Sequence, residues 1–347
     1  MNLIGPNKKT AIVLFNLGGP DNPEAVRPFL FNLFNDAAII ALPRPFRYLL
    51  ARLISKKRAP TAQKIYDEMG GKSPILENTQ AQAQALETSL GAHGKVKTFI
   101  AMRYWHPRAA ETVREVKAFA PDEIILLPLY PQFSATTTGS SLKEWHEAAR
   151  AENLNVPTHA VGCYFTHPEF IRAHAQLIRT YYAEAAQFGT PRILFSAHGL
   201  PEKNIAAGDP YQWQIEQSTQ AILAELAMPG VDAVNCYQSR VGPLKWIGPS
   251  TPEEITRAAR DGVPIVLVPI AFVSEHSETL VELDIEYAEL AHKHGVDRYY
   301  RVPTLSTQPH FIAALADICL KLTGRTPVTS HEGKRLCDKK WGKCVCT

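Results

Sequence analysis

Acidic and histidine side chains that could bind a cation follow a strongly apolar run in this 347-residue chain. The run, residues 265–272, is typical of a buried parallel strand, and His276 lies in the polar turn after it. A helix-period pattern then places Glu278, Glu282 and Glu286 on one face, each four positions apart. Like charges at this spacing repel one another, so three of them beside a histidine favour a metal ion in transit. A solvated acidic face is the alternative interpretation.

A second candidate for proton or metal chemistry is His198, in the segment SAHGLP directly after the apolar residues 193–195. Its small neighbours leave the imidazole accessible to a ligand. Because imidazole titrates near neutral pH, it can accept a proton or hold a metal. A structural histidine at a strand end is the alternative.

Three other turns at predicted strand ends carry groups that suit an anionic or aromatic ligand. Arg103 and Tyr104 combine a cation with an aromatic ring, and a structural ion pair of the arginine is equally compatible with the pattern. Ser134–Ser141 offers hydroxyl donors to an anion, or caps the next helix. Tyr237–Pro243, with Trp246 beyond it, adds aromatic and cationic surface.

Three of the six cysteines lie in the basic C-terminal segment, Cys337, Cys344 and Cys346, with the spacing C-x6-C-x-C. The neighbouring positive charges favour thiolates, and an all-thiolate iron–sulfur centre needs a fourth cysteine. Cys163 is the preferred fourth ligand because it ends a predicted strand, whereas the other two cysteines lie in apolar runs typical of a core. A tail of unligated thiols is the alternative.

The elements that must position these residues alternate between strand-type and helix-type segments. This alternation predicts an α/β fold of parallel sheets with helices on both faces. Ligands of such sheets bind beyond the carboxyl ends of the strands, so the turns are expected to face one cleft between two similar halves. The eight predicted strands, enough for two sheets of about four, are 11–17, 96–102, 124–129, 159–163, 192–196, 233–237, 265–272 and 298–302.

An unusually apolar stretch, residues 28–58, is interrupted by charged residues and by Pro43 and Pro45, which are expected to break any long helix. One interpretation is a helical hairpin of the core. The other is a partly exposed apolar lip that grips a flat hydrophobic ligand or touches a membrane surface. The basic residues 56–58 at its end suit carboxylates or lipid headgroups.

Composition limits the class of protein. A chain with 45% hydrophobic and 20% charged residues is long enough for two domains with cores, and its net charge of +3 argues against a nucleic-acid binder. The sequence has neither an N-terminal signal pattern nor an uncharged apolar run of membrane-spanning length. A cytoplasmic protein is therefore predicted, in which cysteines are thiols or metal ligands.

The turns taken together resemble the ferrochelatase family, whose members insert ferrous iron into a porphyrin to make haem. The resemblance covers essentially the whole chain. Six blocks in family order carry it: LFNLGGP (14–20), RYWHP (103–107), PLYPQFSATTTGSS (128–141), ILFSAHGLP (193–201), YQSRVGPLKWIGP (237–249) and VPIAFVSEHSETLVELDIEY (268–287).

The resemblance implies two similar Rossmann-like, chelatase-type domains, each a roughly four-stranded parallel sheet with helices on both faces. The porphyrin is expected in the cleft between them. Residues 1–160, including the lip, are expected to form the first domain and residues 161–315 the second. Residues 316–347 are expected to form a helix and a cysteine tail that packs back on the first domain.

Individual roles follow from the same resemblance. His198 matches the active-site histidine and Glu278 its partner acid across the porphyrin. His276, Glu282 and Glu286 match the polar path beside them, and all five residues are candidate iron ligands. Positions that line or orient the porphyrin are matched by Arg58, Tyr66, Ser73, Arg103, Tyr104, Tyr130 and Trp246, and Ile40 stands where some members have an aliphatic or methionine residue that packs on the macrocycle.

The cysteine spacing is similar to that of bacterial members that carry a [2Fe-2S] cluster, which makes Cys163, Cys337, Cys344 and Cys346 the expected ligands. Animal members place a cluster cysteine in the hydroxyl-rich turn, where this chain has Ala135, so the ligation must differ from theirs.

The implied partners are a porphyrin and ferrous iron, with peripheral contact to the inner membrane through the lip. The oligomeric state, monomer or homodimer, stays open. The identity of the porphyrin, protoporphyrin or coproporphyrin, stays open as well. Two other functions are alternatives: a chelatase for another metal such as cobalt, and a non-enzymatic carrier of haem or metal.

Overall fold

The computed structural model describes residues 4–5, 8–240, 242–322 and 328–347. Within these ranges the strands are β1 (Lys9–Asn16), β2 (Lys95–Met102), β3 (Glu123–Pro128), β4 (Thr158–Cys163), β5 (Arg192–His198), β6 (Asp232–Gln238), β7 (Ile265–Pro269), β8 (Tyr299–Arg301) and β9 (Val328–Ser330). They form two sheets, with the orders β2-β1-β3-β4-β9 and β6-β5-β7-β8. Every neighbouring pair within them is parallel.

Helices connect the strands and lie on both faces of the sheets. They are α1 (Val26–Phe34), α2 (Arg44–Asp67), α3 (Ile75–Leu90), α4 (Ala109–Phe119), α5 (Thr138–Ala151), α6 (Pro168–Ala185), α7 (Glu202–Ala206), α8 (Tyr211–Leu226), α9 (Thr251–Asp261), α10 (Ser277–Leu280), α11 (Tyr287–Lys293) and α12 (Pro309–Lys321). The predicted α/β class with parallel sheets is confirmed.

All eight predicted strands occur, and two differences have a physical reason. Strand β7 ends at Pro269 rather than Phe272, because the chain turns there: the N–H of Ile270 donates to the carbonyl oxygen of Val268 at 2.9 Å, and the N–H of Phe272 donates to that of Pro269 at 3.2 Å. The unpredicted β9 pairs with β4 and has three residues, too few for a periodic pattern to be visible in the sequence.

The described residues divide into two compact units. The first comprises those up to Cys163, those within 315–336, and Val345–Thr347; the second comprises Tyr164–Ala314 and Cys337–Cys344. The sequence assigned all of 316–347 to a tail on the first domain. Residues 337–344 belong instead to the second unit, a division that depends on contacts distant in sequence.

The segment after β7 is not one regular α-helix. A π-helical segment, Glu282–Glu286, separates α10 from α11, and the N–H of Glu286 donates to the carbonyl oxygen of Val281 at 2.9 Å. Leu283 and Tyr287 are buried in the core of the second sheet, as their spacing predicts. The wider π turn shifts the residues on either side of it, so the acidic side chains do not keep the regular spacing of an α-helix.

The stretch 28–58 combines a buried part with an exposed part. Pro43 precedes α2 and Pro45 lies in its first turn, where a proline leaves no helical hydrogen bond unmade. Helix α2 thus begins between the two prolines and continues for 24 residues, and it is separate from α1, which ends at Phe34, so no single long helix spans residues 28–58.

The two ends of the stretch differ in burial. Phe29 and Leu30 of α1 are buried, whereas Phe46 and Leu53 of α2 are each 65% exposed. The lip interpretation thus fits α2 better than the core hairpin does. No helix in the described ranges is both long enough and apolar enough to cross a bilayer.

Candidate active site

His198 is the last residue of β5, at the carboxyl end of the second sheet. Its Nδ1 atom lies 2.6 Å from the carbonyl oxygen of Gly199. A carbonyl oxygen only accepts, so Nδ1 must be the donor, and Nε2 is the atom left for a proton or an ion. The side chain is 38% exposed, which makes Nε2 accessible.

Close packing around Gly199 fixes the backbone beside His198. The N–H of Gly199 donates to the carbonyl oxygen of Gln238 at 2.8 Å. A Cβ atom at Gly199 would lie 3.0 Å from that oxygen and 3.3 Å from the Trp246 ring. Any larger residue would displace one of these groups. Trp246, predicted to line the porphyrin, therefore lies against the same turn as His198.

Glu278, in the first turn of α10, lies between two imidazole rings. Its Oε1 atom is 3.8 Å from Nε2 of His198, and its Oε2 atom is 3.6 Å from Nε2 of His276. The Nδ1 atom of His276 donates to the carbonyl oxygen of Ser274 at 3.0 Å. Both histidines therefore commit Nδ1 to the backbone and present Nε2 to one carboxylate.

The electrostatics of this trio couple the three side chains. Burial opposes the charge on Glu278, but electrostatic attraction by His198 and His276 lowers the pKa of its carboxyl to about 2. Burial likewise opposes the charge on His276, but Glu278 raises the pKa of that imidazole above its usual value. Glu278 therefore stays ionised near neutral pH, and His276 holds a proton more readily than a free imidazole.

Glu282 is anchored to the end of β6 rather than directed at a ligand. Its carboxylate accepts hydrogen bonds from the side-chain amide of Gln238 at 3.0 Å, from the backbone N–H of Ser239 at 2.8 Å and from the hydroxyl of Tyr287 at 2.8 Å. The Ser239 hydroxyl donates to it as well. A carboxylate with so many donors has little capacity left for a metal.

Glu286 is the exposed acid of the three. The part of its carboxyl that is shielded from water, together with the nearby Glu282 and Glu289, raises its pKa. In the described ranges no group of three or more His, Cys, Asp and Glu side chains is arranged to hold a metal ion. The expected row of iron ligands is thus divided into a central carboxylate with two imidazoles, an anchored acid and an exposed acid.

In the first unit, Arg103 and Tyr104 converge on Asp36, which sequence reasoning did not select. Arg103 Nη2 and the Tyr104 hydroxyl each lie 2.8 Å from Asp36 Oδ2, and the Ser140 hydroxyl donates to the same oxygen. Burial opposes the charge on Asp36, but Arg103 and these hydrogen bonds lower its pKa. The only signal in the sequence was a single acid within an apolar stretch.

A polar recess of about 240 Å³ opens beside this cluster. Its walls include Arg47, Arg103, Arg108, Asp36 and Glu144. Sites for flat macrocycles are mostly apolar, so charged walls of this kind do not suit a tetrapyrrole ring. The Tyr104 ring is fully buried, and its hydroxyl supports the cluster through the hydrogen bond to Asp36.

The remaining porphyrin-lining candidates of this unit differ in accessibility. Tyr66 is buried in the core beside α1, and burial raises the pKa of Tyr130. Ser73 is buried against Gly19. A Cβ atom at Gly19 would lie only 2.5 Å from the Cβ atom of Ser73. Arg58 is exposed, and its guanidinium lies 5.7 Å from the centre of the Phe34 ring.

Ile40 is partly exposed at the end of the turn that follows α1. Tyr130 has the same partial exposure as Ile40, and Arg58 is exposed, so these three members of the predicted set in this unit are open to a large ligand. The structure therefore groups the set into a supporting cluster and a smaller accessible part.

The four candidate cluster cysteines are all buried. In the first unit, the sulfur of Cys346 lies 2.5 Å from the position that a Cβ of Gly162 would take, directly beside Cys163. In the second unit, the side-chain amide of Gln214 donates to the sulfur of Cys337 at 2.9 Å. An amide donor stabilises a thiolate, and buried thiols suit an iron–sulfur centre.

Two parallel α/β sheets, with a carboxylate between an imidazole that ends β5 and one that precedes α10, have the architecture of a chelatase-type fold. The solved structure of SirB from Bacillus subtilis with Fe3+ has a TM-score of 0.52 and 14% identity, covering 89% of this chain and 93% of that one. The sirohydrochlorin chelatase SirB in complex with cobalt has a TM-score of 0.51. At these identities the likeness concerns the fold alone.

Sequence comparison identifies the family. The Ferrochelatase family model matches residues 9–322. A ferrochelatase of Wolbachia sp. subsp. Drosophila simulans (strain wRi) is 57% identical over 316 residues, 90% of this chain and 99% of its own length. One of Caulobacter vibrioides (strain NA1000 / CB15N) is 54% identical over 344 residues, 98% of each chain. The chain belongs to the ferrochelatase family, and its activity is that of a lyase of haem biosynthesis, the insertion of ferrous iron into a porphyrin.

Proposed function

We propose that this chain inserts ferrous iron into protoporphyrin at the trio His198, Glu278 and His276. The observation that supports this most directly is one ionised carboxylate that faces two Nε2 atoms, each belonging to an imidazole whose Nδ1 is committed to the backbone. Such a trio can accept protons and contact a cation without any change of tautomer.

The reaction exchanges two pyrrole N–H protons for one Fe²⁺. A carboxylate whose pKa is about 2 is a weak base, so Glu278 is not the first proton acceptor. Nε2 of His198, the more accessible imidazole, accepts the two protons one after the other, and it releases the first to solvent before it takes the second. Glu278 stabilises the imidazolium that forms each time. The second proton then leaves to solvent as well, and the same carboxylate offers an oxygen ligand to the entering ion.

The side chains proposed to hold the porphyrin would contact the edges of its ring. Trp246 packs beside the His198 turn, and Ile40 offers an apolar contact. Arg58 suits a propionate because an exposed guanidinium can bind a carboxylate with two hydrogen bonds. A ring held bent in this way presents its nitrogen lone pairs to the ion, and binding elsewhere on the substrate supplies the strain.

Spectroscopic turnover tests this function. With ferrous iron and protoporphyrin, the free-base bands should be replaced by haem bands, with release of two protons per haem. Parallel reactions with coproporphyrin and with cobalt rank the alternative substrates. Metal uptake without proton release would favour a carrier, and turnover only with another metal or porphyrin would reject the proposed substrate.

We also propose that Cys163, Cys337, Cys344 and Cys346 hold a [2Fe-2S] cluster. Their burial and the amide donor to Cys337 support it. A bound cluster would tie four thiolates to one group and could take up one electron. No step of the insertion reaction is assigned to it.

The cluster proposal predicts that purified protein absorbs visible light as iron–sulfur proteins do, and that Cys163→Ser removes this absorption. Cys319→Ser is the matched control, because Cys319 is equally buried in a core helix and burial raises its thiol pKa to about 12. Wild-type protein that is colourless or loaded with zinc would contradict the proposal.

Peripheral membrane contact is proposed for the exposed apolar side chains of the lip, which are Ile39, Leu42, Phe46, Tyr48, Leu49 and Leu53. The basic residues 56–58 adjoin them and suit anionic headgroups. Phe46→Ser should weaken co-sedimentation with anionic vesicles, whereas Phe188→Ser, at an exposed phenylalanine of the other unit, should not. Equal sedimentation of both variants and wild type would reject the contact.

A further inference from the structure

Arg301, the last residue of β8, connects the two sides of the segment that carries the active-site acid. Its Nη1 atom donates to Glu275 Oε1 at 2.6 Å, and its Nε atom donates to Asp284 Oδ1 at 2.6 Å. Nη2 donates to the second oxygen of Asp284, so that pair is bidentate. The backbone N–H of Thr304 also donates to Glu275 Oε1, at 2.9 Å.

The two carboxylates occupy informative positions in the chain. Glu275 directly precedes His276, and Asp284 lies in the π-helical segment that follows α10. Glu278 lies between them. A guanidinium that binds both carboxylates therefore fixes the distance between the turn before Glu278 and the π-helical segment after it. The Arg301 side chain is 11% exposed, so water screens these contacts only weakly.

We propose that Arg301 is a positioning residue for iron insertion, because it holds the turn of His276 and the π-helical segment at the spacing that directs Glu278 between the two imidazoles. This inference rests on the proposed role of Glu278. Arg301 touches neither His198 nor Glu278 in the contacts described, and it acts through Glu275 and Asp284. A lysine could not replace it fully, since one ammonium cannot bind both carboxylates with a planar fork.

The same unit contains a matched control. Arg192 opens β5 at the opposite end of the second sheet and also bridges two carboxylates. Its Nε atom lies 2.6 Å from Asp232 Oδ2, and its Nη1 atom lies 2.8 Å from Asp261 Oδ2. Loss of either arginine removes a double ion pair made by a buried guanidinium, but only Arg301 is joined to the acidic segment.

The experiment compares Arg301→Gln, Arg301→Lys and Arg192→Gln in iron-insertion assays and in thermal unfolding. If Arg301 positions Glu278, Arg301→Gln should lower kcat about 10- to 100-fold with little change in KM for porphyrin, because small misplacements of reacting groups are costly. The kcat of Arg301→Lys should lie between that of Arg301→Gln and that of wild type. Arg192→Gln should keep kcat within about threefold of the wild-type value, even if its melting temperature falls as much as that of Arg301→Gln.

A second readout does not depend on turnover. Arg301 ties the π-helical segment to β8 through Asp284, and the backbone N–H groups of that segment report on this tie. Amide hydrogen exchange of residues 282–286, followed by NMR, should become faster by about tenfold or more in Arg301→Gln and stay unchanged in Arg192→Gln. This exchange can be measured even if wild-type protein fails to insert iron, which separates failure of this inference from failure of the proposed function.

Equal kcat for Arg301→Gln and Arg192→Gln, with amide exchange of residues 282–286 as in wild type, would overturn the proposal. If Arg301→Gln does not fold, Arg301→Lys decides the matter. Wild-type kcat and unchanged amide exchange of residues 282–286 in that variant would count against a positioning role.

Discussion

His198→Ala is expected to abolish iron insertion while porphyrin binding persists. The substitution removes Nε2, the accessible basic atom that faces Glu278, and leaves the apolar contacts of Trp246 in place. Loss of a general base typically costs a factor of about 100 to 10,000 in rate. Turnover is followed by haem absorption, and binding is followed by the change in porphyrin fluorescence.

His292→Ala is the control for this prediction, because His292 lies in the same unit, is exposed and pairs only weakly with Asp297 at 3.4 Å. Its turnover should equal that of wild type. Near-wild-type turnover of His198→Ala would remove this histidine from the mechanism. Loss of both turnover and porphyrin binding would show a structural role instead.

Glu278→Gln is expected to lower iron insertion strongly, by roughly 100-fold or more, because a neutral amide cannot stabilise an imidazolium or offer an anionic ligand to Fe²⁺. Glu289→Gln, at an exposed acid of α11, is the matched control and should keep full activity. A mild effect of Glu278→Gln would return this acid to the role of a solvated surface charge.

The same substitution carries a signed pH prediction. Because Glu278 raises the pKa of His276, that pKa should fall in Glu278→Gln, which an NMR titration of this imidazole can follow. For stability, the depressed pKa of Glu278 means that its contribution is present above the unfolded value of 4.5 and is lost as pH falls towards about 2. Wild-type protein should therefore lose stability relative to Glu278→Gln over this range.

Much of the candidate site could be predicted because parallel α/β sheets place the carboxyl ends of their strands at one edge. The apolar runs before His198 and before His276 indicated two such strands, and both occur, as β5 and β7. Once neighbouring strands are parallel, the residues that follow them must lie close together. The meeting of His198 with Glu278 is a consequence of this rule.

The sequence was less informative about what each acid does. Glu278, Glu282 and Glu286 look equivalent at a spacing of four residues, yet only Glu278 faces the imidazoles. A π turn changes the helical phase, and donors from β6 bind Glu282. Neither the turn nor those donors has a signature within the acidic segment itself.

By itself, the sequence determined the α/β class, the strand positions and the histidine and acid at the strand ends, because each is specified by a pattern within a short window of residues. Tertiary structure alone decided that Asp36 gathers Arg103 and Tyr104, that Arg301 bridges Glu275 and Asp284, and that residues 337–344 belong to the second unit. Each of these depends on groups that are far apart in the chain. Hydrogen bonds and ion pairs of that kind form only after the sheets have brought their partners within about 3 Å of one another.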